Sequence, residues 1–548
     1  MKKILKAIFT FTFTVTPLLG VCSCGSKKVD SLYYELKDSM INYFMEWCKY
    51  PHPTYYFGPV NKYLTETIKD TYDIDVKRDD YYKIQAQKEW PEEYKEYYGN
   101  IWFDIPASEG YEYLPLTVLQ SHMDMVIDGM SMEEAKNTPI IPVINNENQV
   151  ITSEDQKTSL GADDGAGIAM ILALINNQKV KHGKLRILFT ADEEEGASGA
   201  KDLGMKIDGE PIDVLGDARY LINLDNERVG DIVNSSAGTR FFWYFLTEDD
   251  EDEVVSLSDN AKSIVSLRCS GVRGGHSAVN IVKHANALKC VLDVFEKLGI
   301  TNGDYSDKFQ LISASTDTLV ANTIPTDVTI KFATSDSNIE QKIESAINST
   351  LAYWKDECPD DKDISITKTI ETLGSQKALS DEMSKKLIKF MGWFYFGVIK
   401  FIDDSQIPES SQNIGPLTIN CNQNDITKVF RFASSSRSCV NDILIEFEEN
   451  NKCRSDEMLG KGHYELFRKK NTLRDLMYHG FEISGTKPTI SDMHGGLEIS
   501  YFAEIKNELI MVSIGPTITD VHNKKETLYL DTIIPEFKAL VYTLPRLR

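Results

Sequence analysis

The architecture follows from the segment ILFTADEEEG at positions 187–196, in which an apolar run ends in four consecutive carboxylates. The mainly apolar run that ends here extends from Lys184 to Thr190, and its length and composition predict a buried strand. Like charges this close together are unfavourable unless water or cations neutralise them. The four acids therefore indicate either a solvated loop or a metal site at the end of a strand, and both interpretations stay open at this point.

Two further apolar runs of strand length flank this segment, at Tyr113 to Gln120 and at Tyr220 to Leu224. Between them, Ala166 to Leu174 follows a glycine-rich turn and predicts a buried helix. Strands that alternate with helices predict βαβ units on a mainly parallel sheet. We expect functional residues where these strands end.

Acidic and histidine side chains follow the apolar runs in four more segments. These are LQSHMDM (119–125), SLGADDGAG (159–167), LINLDNE (221–227) and SDMHGGLE (491–498). Each has an ordinary alternative: His122 as a structural histidine, or Asp164 as a helix N-cap. Together, two histidines and three or four carboxylates form a mixed N/O ligand set that suits a pair of divalent ions sharing one carboxylate. Zinc is the first expectation, with manganese and cobalt as alternatives.

Composition narrows the class of function. The chain has 548 residues, with 59 Lys+Arg against 83 Asp+Glu, and so a net charge of −24. This charge argues against a nucleic-acid partner, because binding to phosphate backbones relies on Lys and Arg. The change of pattern from about residue 235 to 482 predicts a second region, an antiparallel sheet covered by helices.

The first two dozen residues have the pattern of an export signal. Lys2, Lys3 and Lys6 precede an apolar run from Ala7 to Val21. Cys24 follows the small residue Ser23, as in a bacterial lipoprotein signal, so we expect lipidation at Cys24 and a membrane-anchored protein on the periplasmic or cell-surface side. Plain secretion with cleavage and an uncleaved anchor stay open as alternatives.

Several motifs in order resemble one known family. LQSHMDM, SLGADDGAG, FTADEEEGASGA, LINLDNE, GGHS and MHGGLE strongly resemble the Xaa-His dipeptidase branch of the two-zinc aminoacylase/carboxypeptidase-type metallopeptidases. This branch is also called aminoacyl-histidine or cytosolic non-specific dipeptidase. The resemblance runs from about Tyr50 to Ile518.

The resemblance implies roles for the residues at the motif positions. One zinc ion would be bound by His122 and Asp225 and the other by Glu194 and His494, with Asp163 bridging them. Asp124 would orient His122. Glu193 would be the general base that takes a proton from water and returns it to the departing amine. A register one residue later would move base and ligand to Glu194 and Glu195.

The resemblance also implies an inserted lid that contacts the substrate. His276 of GGHS would stabilise the oxyanion, often across a dimer interface. Arg431 is the first expectation for binding the substrate carboxylate and Arg437 the second. Asn322 is a further substrate-binding expectation. His522, where the family has His-Ser and this chain has His522-Asn523, is expected to be a surface or packing residue.

The expected fold is therefore α/β, a zinc-peptidase catalytic domain with a mainly parallel sheet flanked by helices and interrupted by an inserted α+β lid. The expected division is a signal peptide at 1–24, a catalytic domain at 30–234 and 483–548, and a lid and dimerisation domain at 235–482. The expected function is an extracytoplasmic metallo-dipeptidase acting on unblocked dipeptides, Xaa-His-like or of broad specificity. An aminoacylase or other amidohydrolase with the same metals, and a non-catalytic peptide-binding lipoprotein, are the alternatives.

Overall fold

The computed structural model describes residues 27–81, 91–194, 196–402, 406–438, 455–459, 471–506 and 508–548. Among these residues, no helix combines the length and the apolar character needed to cross a bilayer. The α-helices are α1 (Lys27–Trp47), α2 (Gly58–Tyr72), α3 (Met132–Ala135), α4 (Ala162–Asn176), α5 (Ser198–Lys201), α6 (Ser277–Asn280), α7 (Ala287–Lys297), α8 (Ile339–Glu357), α9 (Asp381–Gly392), α10 (Thr472–Ser484), α11 (Ile499–Ile505) and α12 (Ile533–Thr543).

The strands belong to two large sheets and three small ones. In chain order they are β1 (Lys77–Arg78), β2 (Ile101–Ile105), β3 (Thr117–His122), β4 (Pro142–Asn145), β5 (Val150–Ser153), β6 (Leu185–Thr190), β7 (Tyr220–Asn223), β8 (Asp231–Ser236), β9 (Gly238–Phe245), β10 (Val254–Ser256), β11 (Ser263–Ser270), β12 (Gly275–His276), β13 (Phe309–Thr316), β14 (Thr323–Ile324), β15 (Val328–Thr334), β16 (Ser365–Glu371), β17 (Lys377–Leu379), β18 (Gly397–Phe401), β19 (Pro408–Asn420), β20 (Phe430–Ser438), β21 (Ser455–Leu459), β22 (Thr489–Met493), β23 (Ile510–Ser513), β24 (Ile518–Thr519) and β25 (Thr527–Tyr529).

The first large sheet carries the strand ends that the sequence singles out. Its order is β1-β2-β6-β3-β7-β23-β8-β22. The central pairs β6/β3, β3/β7 and β7/β23 are parallel. Helix α4 is buried along nearly its whole length and packs against α1 and the sheet. These features confirm the predicted α/β fold class.

One predicted strand in this sheet is displaced. The sequence predicts a strand from Tyr113 to Gln120, but β3 begins at Thr117 and ends at His122. Tyr113 is 66% exposed and lies in a turn. Pro115 has no N–H for a ladder hydrogen bond, so pairing begins after it. At its other end, β3 continues two residues beyond the predicted end at Gln120, as far as His122.

The second large sheet is antiparallel throughout. Its order is β16-β11-β15-β13-β19-β20-β9-β21, with β18 beside β19. Helices α7, α8 and α9 pack together and share its apolar core. We call this sheet and its helices the lid layer.

The chain passes between the two sheets at Ala237, since β8 belongs to the first and β9 to the second. Helix α10 returns to the first core, where Leu473, Met477 and Phe481 are buried. This return comes about ten residues before the boundary expected at 482/483. The domain division remains a prediction.

Candidate metal centre

Parallel strands bring three of the predicted ligands to one edge of the first sheet. Strand β3 lies between β6 and β7 and runs parallel to both. His122 is the last residue of β3, Glu194 follows β6, and Asp225 follows β7. Because parallel strands end at the same edge, side chains that are far apart in sequence become neighbours.

A first group of ligands surrounds the imidazole of His122. Its Nε2 lies 2.9 Å from Asp163 Oδ1 and 3.4 Å from Asp225 Oδ1. His122 is 1% exposed. The ligand atoms of the three residues all lie within 4.8 Å of one another, which is close enough to hold one metal ion. This agrees with the predicted pairing of His122 and Asp225 around Asp163.

A second group uses the other oxygen of the same aspartate. His522 Nε2 lies 3.2 Å from Asp163 Oδ2 and 2.9 Å from Glu194 Oε2. These three residues also form a group that could hold an ion. Asp163 thus offers Oδ1 to one group and Oδ2 to the other, as a bridging carboxylate must.

His522, and not His494, completes this second group, which corrects the sequence-based expectation. Strand β22, which precedes His494, is the edge strand three places beyond β7, and His494 belongs to neither ligand group. His494 Nε2 instead lies 2.6 Å from Ser411 Oγ in the lid layer. His522 lies in the turn between β24 and β25, a hairpin that pairs with β5. The signal was present in the sequence, since only the residue after this histidine departs from the family pattern.

Charge in this cluster is unbalanced without cations. Burial raises the pKa of Asp225 well above its ordinary value, and Asp163 raises it further. Burial would lower the pKa of His522, but Asp163 and Glu194 together raise it to about 11. Glu194 Oε1 is buried with no hydrogen-bond partner among the described residues. Carboxylates crowded in this way are stabilised by divalent cations, and a mixed set of carboxylates and imidazoles suits zinc.

Asp124 connects the first ligand group to the acidic run. Its Oδ1 accepts a hydrogen bond from Glu193 N at 2.8 Å and lies 3.6 Å from His122 Nδ1. Its Oδ2 lies 3.4 Å from Glu194 N. The carboxylate therefore contacts both the histidine that it was expected to orient and the backbone that carries Glu193 and Glu194.

The acidic run divides its side chains between two directions. Asp192 turns inward, where its Oδ1 accepts from Tyr55 N at 2.7 Å and its Oδ2 from Tyr81 Oη at 3.0 Å. Glu194 faces His522 in the second group. Glu195 lies outside the described residues. This arrangement favours Glu193 as base and Glu194 as ligand over the register one residue later.

The lid layer buries one of the two expected arginines and exposes the other. Arg437 is 3% exposed, and its Nη1 donates to Thr239 Oγ1 at 2.6 Å. No carboxylate among the described residues lies within ion-pair distance of Arg437. Arg431 is exposed, with its guanidinium 4.0 Å from the centre of the Trp243 ring. Arg431 was the first expectation for the carboxylate-binding residue, and the structure favours Arg437 instead.

His276 and Asn322 lie together at the small sheet formed by β12 and β14. Nε2 of His276, on β12, is 3.3 Å from Nδ2 of Asn322, which directly precedes β14. Enclosure by neighbouring groups lowers the pKa of His276 to about 3, and the charges of Arg437 and His522 add to this effect. The side chain nevertheless remains open to solvent. His276 is thus close enough to Arg437 and His522 for the charges of both residues to lower its pKa.

The described residues thus form two candidate ligand groups around one shared carboxylate. The chain is homologous to cytosol non-specific dipeptidase of Escherichia coli strain K12. The two are 27% identical over 503 residues, which cover 89% of this chain and 93% of the relative. The homology confirms the predicted resemblance and enzyme class, and the two ligand groups agree with the predicted pair of divalent ions.

Other comparisons are consistent with this assignment. The fold matches the crystal structure of aminoacylhistidine dipeptidase from Vibrio alginolyticus with a TM-score of 0.67 and 23% identity, over 92% of this chain and 96% of that one. Peptidase T of Escherichia coli strain K12 is 41% identical over 87 residues, 15% of this chain and 19% of that relative. No family model matches the chain.

The expected location is wrong. A relative that matches most of the chain is, by its name, a cytosolic enzyme, which contradicts an exported, membrane-anchored lipoprotein. The segment behind that expectation, residues 1–24 with Cys24, lies outside the described residues. The export-like composition of this segment has no structural account.

Proposed function

We propose that this chain is a metallo-dipeptidase that hydrolyses the peptide bond of unblocked dipeptides. The observation that carries the proposal is the position of Asp163, whose two oxygens face two separate ligand groups. The homology to a dipeptidase over most of the chain supports the same conclusion.

The residues that would hold the ions follow from the two groups. His122 and Asp225 would bind one ion, Glu194 and His522 the other, and Asp163 both. When bound, the two ions supply Lewis-acid polarisation of water and of the peptide carbonyl. Five ligands of mixed N and O character suit this task, and they lie at an edge where three parallel strands end.

Glu193 is the proposed general base. Asp124 Oδ1 accepts a hydrogen bond from the backbone N–H of Glu193 at 2.8 Å, and Glu193 belongs to neither of the two ligand groups. Burial and the neighbouring carboxylates, Glu194 first, raise the pKa of Glu193 well above its ordinary value. Glu193 takes a proton from the attacking water and returns it to the amine of the departing residue.

Arg437 is the proposed receptor for the substrate's terminal carboxylate. It is a buried guanidinium that lacks an anionic partner among the described residues, and burial lowers its pKa to about 10. A carboxylate would supply the missing charge through charge-assisted hydrogen bonds. His276, held near Asn322, would donate a hydrogen bond to the carbonyl oxygen as negative charge develops on it.

Recognition of the free carboxylate requires a substrate with a free C-terminus. The residues that line the space between Arg437 and the metal centre would determine whether the substrate preference is for Xaa-His or is broad. Homodimer formation through the lid layer is part of the same proposal, and light scattering of the purified protein tests it.

The test measures hydrolysis by the full-length protein incubated with zinc, manganese or cobalt, and separately with a chelator. The substrates are dipeptides, tripeptides and N-acetyl amino acids. We expect metal-dependent cleavage of the dipeptides and little cleavage of the acetylated compounds. Cleavage of the acetylated compounds alone would favour an aminoacylase, and absence of any turnover with two bound ions would favour a peptide-binding protein.

A further inference from the structure

One buried carboxylate close to the metal centre has no part in the proposed chemistry. Glu526 is 2% exposed and accepts hydrogen bonds from four consecutive backbone amides. Its Oε2 accepts from Leu160 N at 2.7 Å and Gly161 N at 3.0 Å. Its Oε1 accepts from Ala162 N at 2.8 Å and Asp163 N at 3.1 Å. The last of these amides belongs to the bridging ligand itself.

The loop that Glu526 holds is otherwise difficult to form. Gly161 has a φ of +72°, and a Cβ there would lie 2.9 Å from both His52 Nε2 and Met125 Sδ. Gly161, Ala162 and Asp163 lie at the N-terminal end of α4, where backbone amides have no acceptors within the helix, and Leu160 directly precedes them. A negatively charged acceptor satisfies them and interacts favourably with the helix dipole. The conformation that presents Asp163 thus depends on a side chain more than 360 residues away.

Glu526 also belongs to the loop that carries the second histidine. His522 and Glu526 lie between β24 and β25, four residues apart, and β25 pairs with β5. Lys524 N, midway between them, donates to Asp128 Oδ2 at 3.0 Å. The same short segment therefore supplies one ligand of the second group, His522, and accepts a hydrogen bond from the backbone of another, Asp163.

We propose that Glu526 is a positioning residue that fixes Asp163 relative to His522 and so sets the geometry of the second metal group. The inference rests on the proposed function, because it takes these residues to be metal ligands. This role requires a carboxylate, because each of the two oxygens accepts hydrogen bonds from two N–H groups. A glutamine would turn its own N–H₂ group toward two of these donors.

The experiment measures cobalt(II) binding to full-length Glu526→Gln and wild-type protein by visible absorption. Loss of an outer-shell partner lowers metal affinity by about tenfold to a hundredfold. We expect a decrease of that size for one of two cobalt ions, a changed ligand-field spectrum, and hydrolysis that recovers when cobalt is raised. Wild-type affinity for both ions in folded Glu526→Gln would overturn the proposal.

Asp361→Asn is the matched control. Asp361 is a buried carboxylate of the lid layer that accepts from Arg273 N at 2.8 Å and Ala285 N at 2.6 Å. We expect it to lower the melting temperature without changing cobalt binding. An equal loss of cobalt affinity in this variant would mean that general destabilisation explains both, and would overturn the proposal.

A second variant covers the case in which Glu526→Gln does not fold. Glu526→Asp keeps the charge on a side chain one methylene shorter, and we expect a smaller loss of affinity at the same ion. Unchanged affinity there would overturn the proposal. Binding is measured without substrate, so a wild-type protein that binds two ions but hydrolyses no dipeptide would refute the proposed function and leave this inference standing. A wild-type protein that binds no cobalt would refute both.

Discussion

The metal centre and the lid layer place their functional side chains in different ways. In the first sheet, ligands follow the carboxyl ends of β3, β6 and β7, so position in sequence nearly determines position in space. In the lid layer, Arg437 and Ser411 meet across an antiparallel ladder, as partners in the pairing of β19 with β20. Function in the lid depends on register, which short motifs do not report.

The largest expected effect is at the proposed base in the metal half. Glu193→Gln removes the proton acceptor while keeping the shape of the side chain, so kcat should fall about 10³-fold. Bound zinc, measured by elemental analysis, should not change, since Glu193 is not a proposed ligand. Turnover like that of the wild type would reject Glu193 as base, and loss of zinc would make it a ligand.

A pair of histidine variants tests whether position at the sheet edge selects the ligand. His522→Ala should lose one of two zinc ions and lower kcat/KM by about 10²-fold. Loss of a ligand should have at least the effect of losing an outer-shell partner, which is about tenfold to a hundredfold. His494→Ala should keep both ions, because His494 contacts Ser411 in the lid layer. The reverse pattern of zinc content would restore the original expectation and reject the corrected one.

A pair of arginine variants tests whether position on β20 selects the carboxylate-binding residue of the lid layer. Arg437→Ala should raise KM for dipeptides about thirtyfold, the worth of a hydrogen bond to a charged group. Arg431→Ala, which removes an exposed contact with Trp243, should leave KM and kcat near wild-type values. Equal effects of the two substitutions would mean that the position of Arg437 on β20 does not select it as the carboxylate-binding residue.

A further prediction concerns stability in acid, and it also belongs to the metal half. His52 accepts a hydrogen bond from Trp47 Nε1 at 3.0 Å, and burial lowers its pKa to about 4. Between pH 6.5 and 4 the unfolded chain binds the proton more readily than the folded one, so stability falls as pH falls. The loss from this group should reach about 3 kcal/mol.

Urea unfolding of wild-type protein and His52→Gln at pH 7 and pH 5 measures this contribution. The variant should be less stable at pH 7, where the wild type keeps its hydrogen bonds, and should lose less stability on going to pH 5. Parallel pH dependence in the two proteins would show that His52 does not titrate as its burial implies.

The sequence indicated four of the five residues that the structure brings together in the metal half, because their chemistry is local. Each of His122, Asp163, Glu194 and Asp225 stands beside an apolar run whose end can be read directly. His522 was missed because it follows only a two-residue strand, β24, and its position depends on a hairpin that pairs with distant β5. Glu526 was missed because its partners are backbone amides, which leave no pattern of side chains.

The lid was predicted less completely for a geometric reason. Arg431 and Arg437 are six residues apart on β20, an even spacing that puts both side chains on the same face. About 20 Å of strand separates them, and only the pairing with β9 and β19 indicates which end lies near the metal centre. Arg437 pairs with Thr239 and Ser411, Arg431 with Phe245 and Thr418.

The most direct test of the account is anomalous diffraction from crystals of the full chain grown with zinc. The account predicts two zinc peaks that share Asp163, one bound by His122 and Asp225 and the other by Glu194 and His522. A single ion, ions away from Asp163, or an ion coordinated by His494 would contradict it.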